Sequence, residues 1–582
     1  MAFNDSTSGR WAAGAAVAVV ILAIGAPSLA GETIFDPENP AFDDDGDDGS
    51  EEDDDGDSQQ DDGEDDGSET IFDPERPDFG APEPAEDESE DSDGPDEDAA
   101  QAGDGDQGTG FRDTAWNLNY ELATLVDPGF GPEGYDALEI AGGLGMELRH
   151  DMSEQTRAVV SGRFSYWAGA GREFDQWRTV YEPRLERAYL RHRIDRWSLA
   201  FGQMRNSWGS TDLVRPGDVI DPVDLRDPRG GAGLGTSAGQ LSATATYSAD
   251  DWSLRAVLVP FFQSNRISIF GRDTSLIHDR NPVIGEQLPL LLFTEQLLDE
   301  QVHLDSDPFV QATRRPLETP RNISGGLRGT TTVSGTDLGL GLYVGWDRTP
   351  WVDLDEEFRR LLEAAAEAGF DEEFQQENGE EQFDDVDGSG IDSGFYRRAT
   401  LVADVARYVG PIGVRADVAL SPRQVFYTDE FAPVRRPSVF SALGLSYERL
   451  LDGVRPLSLT MEGFWLHPFA ADSPVTQLTV PDEQRGSEDD ELLLFDGGYY
   501  GVAGAVNWAT GWWDLEVSSG VVASISPGDL IGQLSIERRW RPGIRTTLGS
   551  NLFFGPDPAE RLTLGGQWAH ASRLYLAVGG EF

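Results

Sequence analysis

The sequence predicts an all-β fold, a transmembrane antiparallel β-barrel, preceded by a disordered acidic N-terminal segment. Three observations lead to this prediction. The 582 residues include 67 Gly and 10% aromatic residues, a composition that favours β-structure with tight turns. After residue 110, apolar and polar residues alternate in short stretches that end in turn-forming residues. Short turns and long loops alternate between these stretches, which is the plan of a bacterial outer-membrane barrel.

The charge of the chain excludes several classes of function. Acidic residues outnumber basic ones 106 to 44, the net charge is −62, and every basic residue is Arg. We therefore expect no nucleic acid partner, because such binding rests on cations that neutralise phosphates. The absence of Cys excludes a disulfide scaffold, a thiolate metal site and a Cys nucleophile.

Residues 1–30 are predicted to be a secretory signal peptide. Arg10 precedes an apolar run, and the small residues Ser28 and Ala30 stand where signal peptidase reads the chain. A retained membrane helix needs about 20 apolar residues, more than this run supplies. We expect the mature chain to start near Gly31; a retained inner-membrane anchor is the alternative.

Residues 31–110 are predicted to be a disordered periplasmic tether. They hold 35 acidic residues and one basic residue, so more than half of the net charge lies here. Such a segment has little apolar surface to bury and repels itself. Its D-x-D-G spacings resemble calcium loops, but no Glu closes a loop of the required length. Diffuse condensation of divalent cations is the favoured interpretation, with no discrete metal site.

One motif in the tether stands out from its acidic background. The seven residues ETIFDPE occupy positions 32–38 and recur at 69–75. An apolar pair beside a Pro suits a short linear motif, and two copies raise the effective concentration of the second binding event. We expect the repeats to dock an unidentified periplasmic protein; a local duplication without function is the alternative. The candidate contact residues are Ile34, Phe35, Asp36, Pro37, Ile71, Phe72, Asp73 and Pro74.

Residues 111–582 are predicted to form the barrel. In one stretch Leu457, Leu459 and Met461 alternate with Ser458, Thr460 and Glu462, a period of two that indicates a strand. Nineteen candidate strands begin near residues 115, 138, 155, 184, 197, 238, 252, 323, 337, 395, 412, 438, 456, 498, 513, 528, 543, 561 and 573. Because a bacterial barrel of this type has an even number of strands, we predict 18, with 16 as the alternative. The long extracellular loops are predicted at about 208–237, 263–321, 348–393 and 468–496.

The last predicted strand ends in Phe582. Leu574, Leu576 and Val578 alternate with less apolar residues before it. An amphipathic strand with a carboxy-terminal Phe resembles the signal that the barrel assembly machinery of the outer membrane recognises. We therefore expect that machinery and the outer-membrane lipid bilayer as partners.

A second resemblance lies after the strand that begins at Trp197. The order is Gly202-Gln203, Trp208-Gly209-x-x-Asp212, Arg215-Pro216-x-Asp218-Val219, then Asp221-Pro222-x-Asp224-Leu225-Arg226-Asp227. It resembles a largely uncharacterised family of porin-like outer-membrane barrels with a similar signature. Asp221 stands where that family has Asn. The resemblance covers about residues 196–275 and implies transport without naming a solute.

Two sets of charged residues are candidates for the lumen. The loop after the strand could fold inward and narrow the pore; its candidates are Arg205, Arg215, Asp218, Asp224, Arg226 and Asp227. On the preceding strand Arg187, Arg191 and Arg193 share one face with Tyr189. Charges facing lipid would cost about 2–4 kcal/mol each at mid-bilayer, so this face should line the lumen. The alternatives are a rigid loop whose charges satisfy one another, and salt bridges between the arginines and lumen carboxylates.

These observations predict an outer-membrane channel of porin-like type with a tether that docks a periplasmic partner. The alternative is a non-conducting barrel that serves as a surface anchor or as an envelope-tethering or assembly component. We predict no enzymatic activity, because the six His residues show no metalloprotease spacing and no nucleophile elbow is present. No catalytic residue, cofactor or specific metal site is predicted.

Overall fold

The computed structural model describes residues 114–126, 138–170, 177–224, 236–266, 322–354, 391–428, 432–451, 454–487, 492, 498–541, 543–556 and 563–581. The predicted signal peptide, the tether with its two ETIFDPE motifs, Arg226, Asp227 and Phe582 lie outside these residues.

Eighteen strands of the described chain form one antiparallel sheet. The first nine members are β1 (Thr114–Val126), β2 (Leu138–Ser153), β3 (Thr156–Ala170), β4 (Trp177–Ile194), β5 (Trp197–Met204), β8 (Gln240–Ser248), β9 (Trp252–Val259), β10 (Ser324–Val333) and β11 (Thr336–Trp346). The other nine are β14 (Arg397–Val409), β15 (Ile412–Tyr427), β16 (Pro433–Leu451), β17 (Arg455–Pro468), β18 (Tyr499–Ala509), β19 (Leu515–Ser526), β20 (Asp529–Arg541), β21 (Ile544–Phe554) and β22 (Arg573–Glu581).

Short elements lie in the connections. Two ladders of two strands each pair β6 (Val223–Asp224) with β7 (Thr236–Ser237), and β12 (Trp351–Leu354) with β13 (Ile391–Gly394). The helices among the described residues are α1 (Pro474–Thr479), α2 (Leu564–Gln567) and the 3-10 turns Asp482–Gln484 and Ala569–Ala571. No helix among the described residues is long and apolar enough to cross a membrane.

The sheet closes on itself. The first strand pairs with the last, from Asn119 opposite Glu581 to Val126 opposite Leu574. Every other strand pairs with its neighbours in chain order once β6, β7, β12 and β13 are set aside. A closed ring leaves no unpaired strand edge, which is the requirement for a sheet surrounded by lipid. The predicted 18-stranded antiparallel barrel is thus confirmed.

The candidate strand near residue 561 is wrong, and its removal makes the count even. Residues 564–567 form α2 instead, and β21 pairs directly with β22, so no strand fits between them. Two adjacent glycines, Gly565 and Gly566, interrupt the alternation. Their backbone N–H groups donate to Asp529 and to Thr563 at 3.0 Å each, which fixes a turn of helix.

The outer face of the ring is apolar and exposed. Leu340, Leu443 and Met461 are 60%, 59% and 58% exposed, and each faces away from the interior. Aromatic residues concentrate near both rims of this face. Near the tight turns they are Trp116, Trp197, Trp252, Trp508, Trp512, Trp513 and Trp540; near the longer loops they are Tyr181, Phe261, Trp465, Tyr500 and Phe554. We refer to the two rims as the tight-turn end and the long-loop end.

Candidate functional site

The segment between β5 and the β6 pairing lies inside the ring. We call residues 205–224 the inner loop. Although it is a connection, most of its side chains are buried, which a loop at a barrel rim would not achieve. Apart from Pro and Gly, the buried members are Asn206, Trp208, Thr211, Leu213, Val214, Asp218, Val219, Ile220, Asp221, Val223 and Asp224.

Asp417 of β15 holds the first part of the inner loop. Its carboxylate accepts hydrogen bonds from the backbone N–H and the hydroxyl of Ser210, each at 2.8 Å to Oδ1. The hydroxyl of Thr211 donates to Oδ2 at 2.7 Å, and the Thr211 N–H donates at 3.3 Å. A buried carboxyl group needs such donors, and these four bonds supply them.

Glu462 of β17 holds the next turn of the loop. Its carboxylate accepts three consecutive backbone N–H groups, from Asp212 at 2.7 Å, Leu213 at 3.1 Å and Val214 at 2.7 Å. Successive N–H groups that converge on one anion form a concave site of the kind that binds phosphates elsewhere. Here the acceptor is a carboxyl group of the barrel wall. Asp212 adds an ion pair with Arg415 of β15.

The far end of the inner loop is attached to the opposite wall. Asp224 forms an ion pair with Arg184 of β4 at 3.3 Å. Arg266 lies near Asp224 and forms an ion pair with Glu182, also of β4, at 2.9 Å. In the closed ring β4 is the fourth strand and β17 the thirteenth, nine places apart in a ring of 18. The inner loop therefore spans the lumen from wall to wall.

Apolar packing fixes the same loop. The Trp208 indole is 1% exposed and lies on the backbone of two inward-facing glycines of β10 and β11. A Cβ at Gly326 would lie 2.5 Å from Trp208 Cη2, and one at Gly341 would lie 3.0 Å from Cζ3. Leu213 and Val214 join a second apolar cluster with inward residues of β15 to β19, namely Phe426, Phe440, Ala442, Phe464, Leu466, Tyr499, Ala503, Ala505 and Val522.

A buried polar network holds the part of the inner loop that lies toward the long-loop end of the barrel. The Asp221 carboxylate accepts the N–H of Asn206 and the amide of Gln240. Arg348 donates to the Gln240 side chain at 2.6 Å and to the Ile220 carbonyl at 2.9 Å. Burial raises the pKa of Asp221 to about 6, against the opposing effect of these donors. Burial likewise raises the pKa of Asp212 from its ordinary value, while Arg415 lowers it.

The inner faces of β1 to β4 and β19 to β21 have a different character. They carry charged side chains that we call the charged wall: Glu121, Glu147, Arg149, Arg163, Arg187, Glu516, Glu537, Arg539 and Arg545. Its ion pairs include Arg149–Glu147 at 2.6 Å and Arg539–Glu516 at 3.1 Å. The side chains of Arg187 and Arg539 are 34% and 61% exposed, so solvent reaches this part of the interior.

The arginines predicted on β4 fall on its inner face. Arg187 approaches Glu147 at 3.6 Å, and the Arg191 guanidinium lies 5.7 Å from the centre of the Tyr189 ring. Glu186 is left out of the pairing with β3 by a bulge between Ser161 and Gly162. Arg193 lies at the tight-turn end and is exposed.

The residues predicted in the loop divide into two groups. Asp218 and Asp224 are buried, whereas Arg205 and Arg215 keep part of their surface exposed. Asp224 is the member that joins β4 through Arg184. Asp224 thus contacts β4, the strand that carries Arg187, Arg191 and Arg193.

Sequence reasoning missed the residues that hold the loop. Asp417 lies on the inner face of β15 between Arg415 and Ala419, and Glu462 lies on the inner face of β17 between Thr460 and Phe464. An acid on a buried inner face was the available signal, since a buried carboxylate requires donors. The identity of those donors was not available, because they are backbone N–H groups and the hydroxyls of Ser210 and Thr211, about 200 residues or more away in sequence.

Among the described residues no cluster of three or more His, Cys, Asp or Glu side chains could hold a metal ion.

No protein-family profile and no curated protein matches the chain. Solved structures do. OccK5 (OpdH) of Pseudomonas aeruginosa matches with 8% identity and a TM-score of 0.37, over 81% of this chain and 99% of that one. OmpF of Salmonella typhi, solved with daunomycin, matches with 9% identity and a TM-score of 0.33, over 81% and 97%. Wzi of Escherichia coli, described as a carbohydrate-binding β-barrel involved in capsule assembly, matches with 11% identity and a TM-score of 0.36, over 80% and 84%. The fold assignment rests on the closed strand ladder itself.

Proposed function

We propose that this protein is an outer-membrane channel whose lumen is narrowed by the inner loop. A closed ring with an exposed apolar outer face and aromatic residues at both rims suits a bilayer. Soluble proteins rarely expose an apolar surface of this extent. The tight-turn end would face the periplasm and the long-loop end the exterior, as in other bacterial barrels.

The solvent-exposed charged wall is the observation that carries the channel proposal. Ionised groups inside a barrel require water or partners, and Arg187 and Arg539 retain access to solvent despite facing inward. The inner loop packs on the inner faces of β15 to β19 through its apolar residues. The passage therefore lies between the inner loop and the charged wall. Its arginines would favour anions, as charged rings in other pores do.

Single-channel conductance of the full mature chain, refolded and inserted in a planar bilayer, tests the proposal. We expect steady conductance with anion preference, and a lower preference in Arg187→Gln and Arg191→Gln. Arg196→Gln is the matched control. Arg196 lies in the tight turn between β4 and β5, pairs with Asp250 in the turn between β8 and β9, and does not face the lumen. Absence of current from a barrel whose folding is confirmed by its heat-modifiable migration would refute the channel proposal.

The tether adds a second part to the proposal: its two ETIFDPE motifs dock a periplasmic partner. An apolar pair beside a Pro, present twice on one acidic segment, supports bivalent attachment. Retention of the partner from a periplasmic extract should fall moderately for Phe35→Ala or Phe72→Ala alone. The double variant should lose far more than the two single effects combined. Equal retention by all variants would remove the docking role.

A non-conducting barrel is the second candidate function. The attachment of the inner loop to both walls, through Glu462 and through Asp224, favours it because a fixed crossing obstructs the lumen. In that case the barrel would anchor the tether at the cell envelope. The conductance experiment separates the two, since only the channel carries current.

A further inference from the structure

We propose that Arg538, Trp540 and Trp513 form a binding site for the phosphate of a phospholipid headgroup at the tight-turn end of the barrel. The inference rests on the proposed membrane placement of the barrel and adds a specific lipid contact to it.

Two consecutive arginines of β20 have opposite environments. Arg539 faces inward and pairs with Glu537 at 3.2 Å and with Glu516 at 3.1 Å. Arg538 faces outward, on the same side of the sheet as Ile536. Thr546, the residue opposite Arg538 in β21, lies on this side too. In the part of the chain that the structure describes, Arg538 has no ion pair, and its buried Nε has no hydrogen-bond partner.

Aromatic rings hold the Arg538 guanidinium. Its central carbon lies 3.8 Å from the centre of the Trp540 ring and 5.9 Å from that of Trp513. The Trp540 indole is itself oriented by its N–H, which donates to Thr546 at 2.9 Å. A guanidinium that stacks on a ring by its face keeps its N–H edge for an anion, and that edge matches phosphate in a bidentate fashion.

The turn between β18 and β19 presents the second ring. Trp512 and Trp513 are 78% and 75% exposed there. Trp513 has a φ of 53° and Asp514 a φ of 54°, a region that Asn and Gly occupy with less strain than Trp. Hydrogen bonds impose this conformation: Thr510 accepts the N–H of Trp512 at 3.2 Å, and Arg539 donates its N–H to the Asp514 carbonyl at 3.2 Å. Turn geometry alone does not explain a Trp at this position.

The position of the cluster along the barrel axis indicates which ligand it binds. Ile536 and Leu534, one and two positions further along the same face, are exposed apolar residues that suit acyl chains. Trp512 and Trp513 lie beyond them in the turn. An outward cation at this boundary is placed where lipid phosphates lie, and tryptophan rings favour the same level. A carboxylate-rich protein could reach Arg538 only from the water outside the bilayer surface.

Native mass spectrometry of the full mature chain in detergent, titrated with dioleoyl phosphatidylglycerol, tests the site. We expect the wild type to retain one more lipid than Arg538→Gln, whose affinity for that lipid should be about tenfold lower, because a charge-assisted contact of roughly 1.5 kcal/mol is lost. Arg407→Gln is the matched control, since Arg407 also lies at the tight-turn end of the outer face but contacts Thr336 instead of stacked Trp rings. It should bind as the wild type does.

Two further arms separate the sources of binding. Dioleoylglycerol, which lacks the phosphate, should show no difference between the wild type and Arg538→Gln; a difference of the same size would overturn the phosphate assignment. Inorganic phosphate at millimolar concentration should not displace the lipid; full displacement would mean a free-anion site instead. Identical binding of phosphatidylglycerol by wild type, Arg538→Gln and Trp540→Leu would also overturn the proposal.

Failure of the membrane placement would look different. In vesicles of brominated lipid, tryptophan fluorescence of the wild type should be quenched, and the quenching should change little in Arg538→Gln. An unquenched wild type would refute the membrane placement, and with it this site. Quenching with unchanged lipid binding in the variant would refute the site alone. Conductance should be the same for the wild type and Arg538→Gln, because Arg538 faces away from the lumen.

Discussion

Glu462, in the middle of β17, accepts the backbone N–H of Val214 at 2.7 Å, and the same carboxylate accepts the two preceding N–H groups of the inner loop. A carboxylate of the wall thus does what a bound anion does in a phosphate loop. Residues 212–214 are held through their backbone, which makes the position of this part of the loop depend on a side chain of a distant strand.

Replacing Glu462 by Ala should release the middle of the inner loop. Three backbone N–H groups would lose their carboxyl acceptor, and each such bond contributes about 0.5–1.5 kcal/mol. Hydrogen exchange of the amides of Asp212, Leu213 and Val214 should become at least about tenfold faster in the variant. Glu516→Ala, which removes an inner-face Glu that pairs with Arg539, is the control and should leave these amides protected. Unchanged exchange in Glu462→Ala would contradict the anchoring role.

A side chain at Gly326 should displace Trp208. The Cβ alone would lie 2.5 Å from the indole, and the buried ring cannot move without shifting the loop. We expect Gly326→Val to lower the free energy of unfolding by about 1–3 kcal/mol, as overpacking usually does, and to change the conductance. Gly329→Val on the same strand is the control, because its Cβ would meet Leu254 only at 3.9 Å. Thermal transitions of the folded form on unboiled gels measure the difference; equal transitions would speak against the packing role.

Neutralising Glu147 should increase anion preference. This carboxylate pairs with Arg149 at 2.6 Å and approaches Arg187 at 3.6 Å, so it offsets positive charge on the charged wall. In Glu147→Gln the ratio of anion to cation permeability should rise by roughly twofold at low salt, where screening is weak. Reversal potentials in asymmetric KCl measure the ratio. A ratio that falls or stays constant would place the conducting path elsewhere.

The buried Asp221 should make stability depend on pH. Burial raises its pKa to about 6 in the folded protein, above its value in the unfolded chain. The folded state therefore binds more protons between these two values, and the stability that this contributes is full below pH 4 and is lost as the pH rises through 6. The expected loss is about 1–3 kcal/mol.

Thermal transitions measured from pH 4 to pH 7 check the Asp221 prediction. In Asp221→Asn this part of the slope should vanish, because the amide does not titrate. Arg348, which faces the same network, stays charged over the whole range and should not contribute. A slope that survives the substitution would assign the effect to another group.

The alternation of apolar and polar residues was enough to predict the barrel. It located 18 strands because each strand has one face in lipid and one in the interior, so a period of two marks every strand by itself. It failed at residue 561, where an alternating stretch too short to span the membrane contains Gly565 and Gly566 and folds into α2. Local pattern cannot tell a strand from a turn of that length.

The charged residues near the site were identified without their partners. Arg187 and Arg191 could be placed on an inner face, since the cost of charge in lipid leaves one choice. What each contacts depends on which strands become neighbours, and Glu147 belongs to a strand two places away in the ring.

Sequence alone determined the closed, two-faced sheet, because burial in lipid is a property of each residue and its alternate neighbours. Only the tertiary structure decided that residues 205–224 cross the lumen and that Asp417 and Glu462 hold them. Most of those contacts join backbone N–H groups, which every residue but Pro possesses, to carboxyl groups about 200 residues or more away. Backbone donors leave no mark in the sequence, so the partner of a buried acid emerges only when the ring closes and brings the two together.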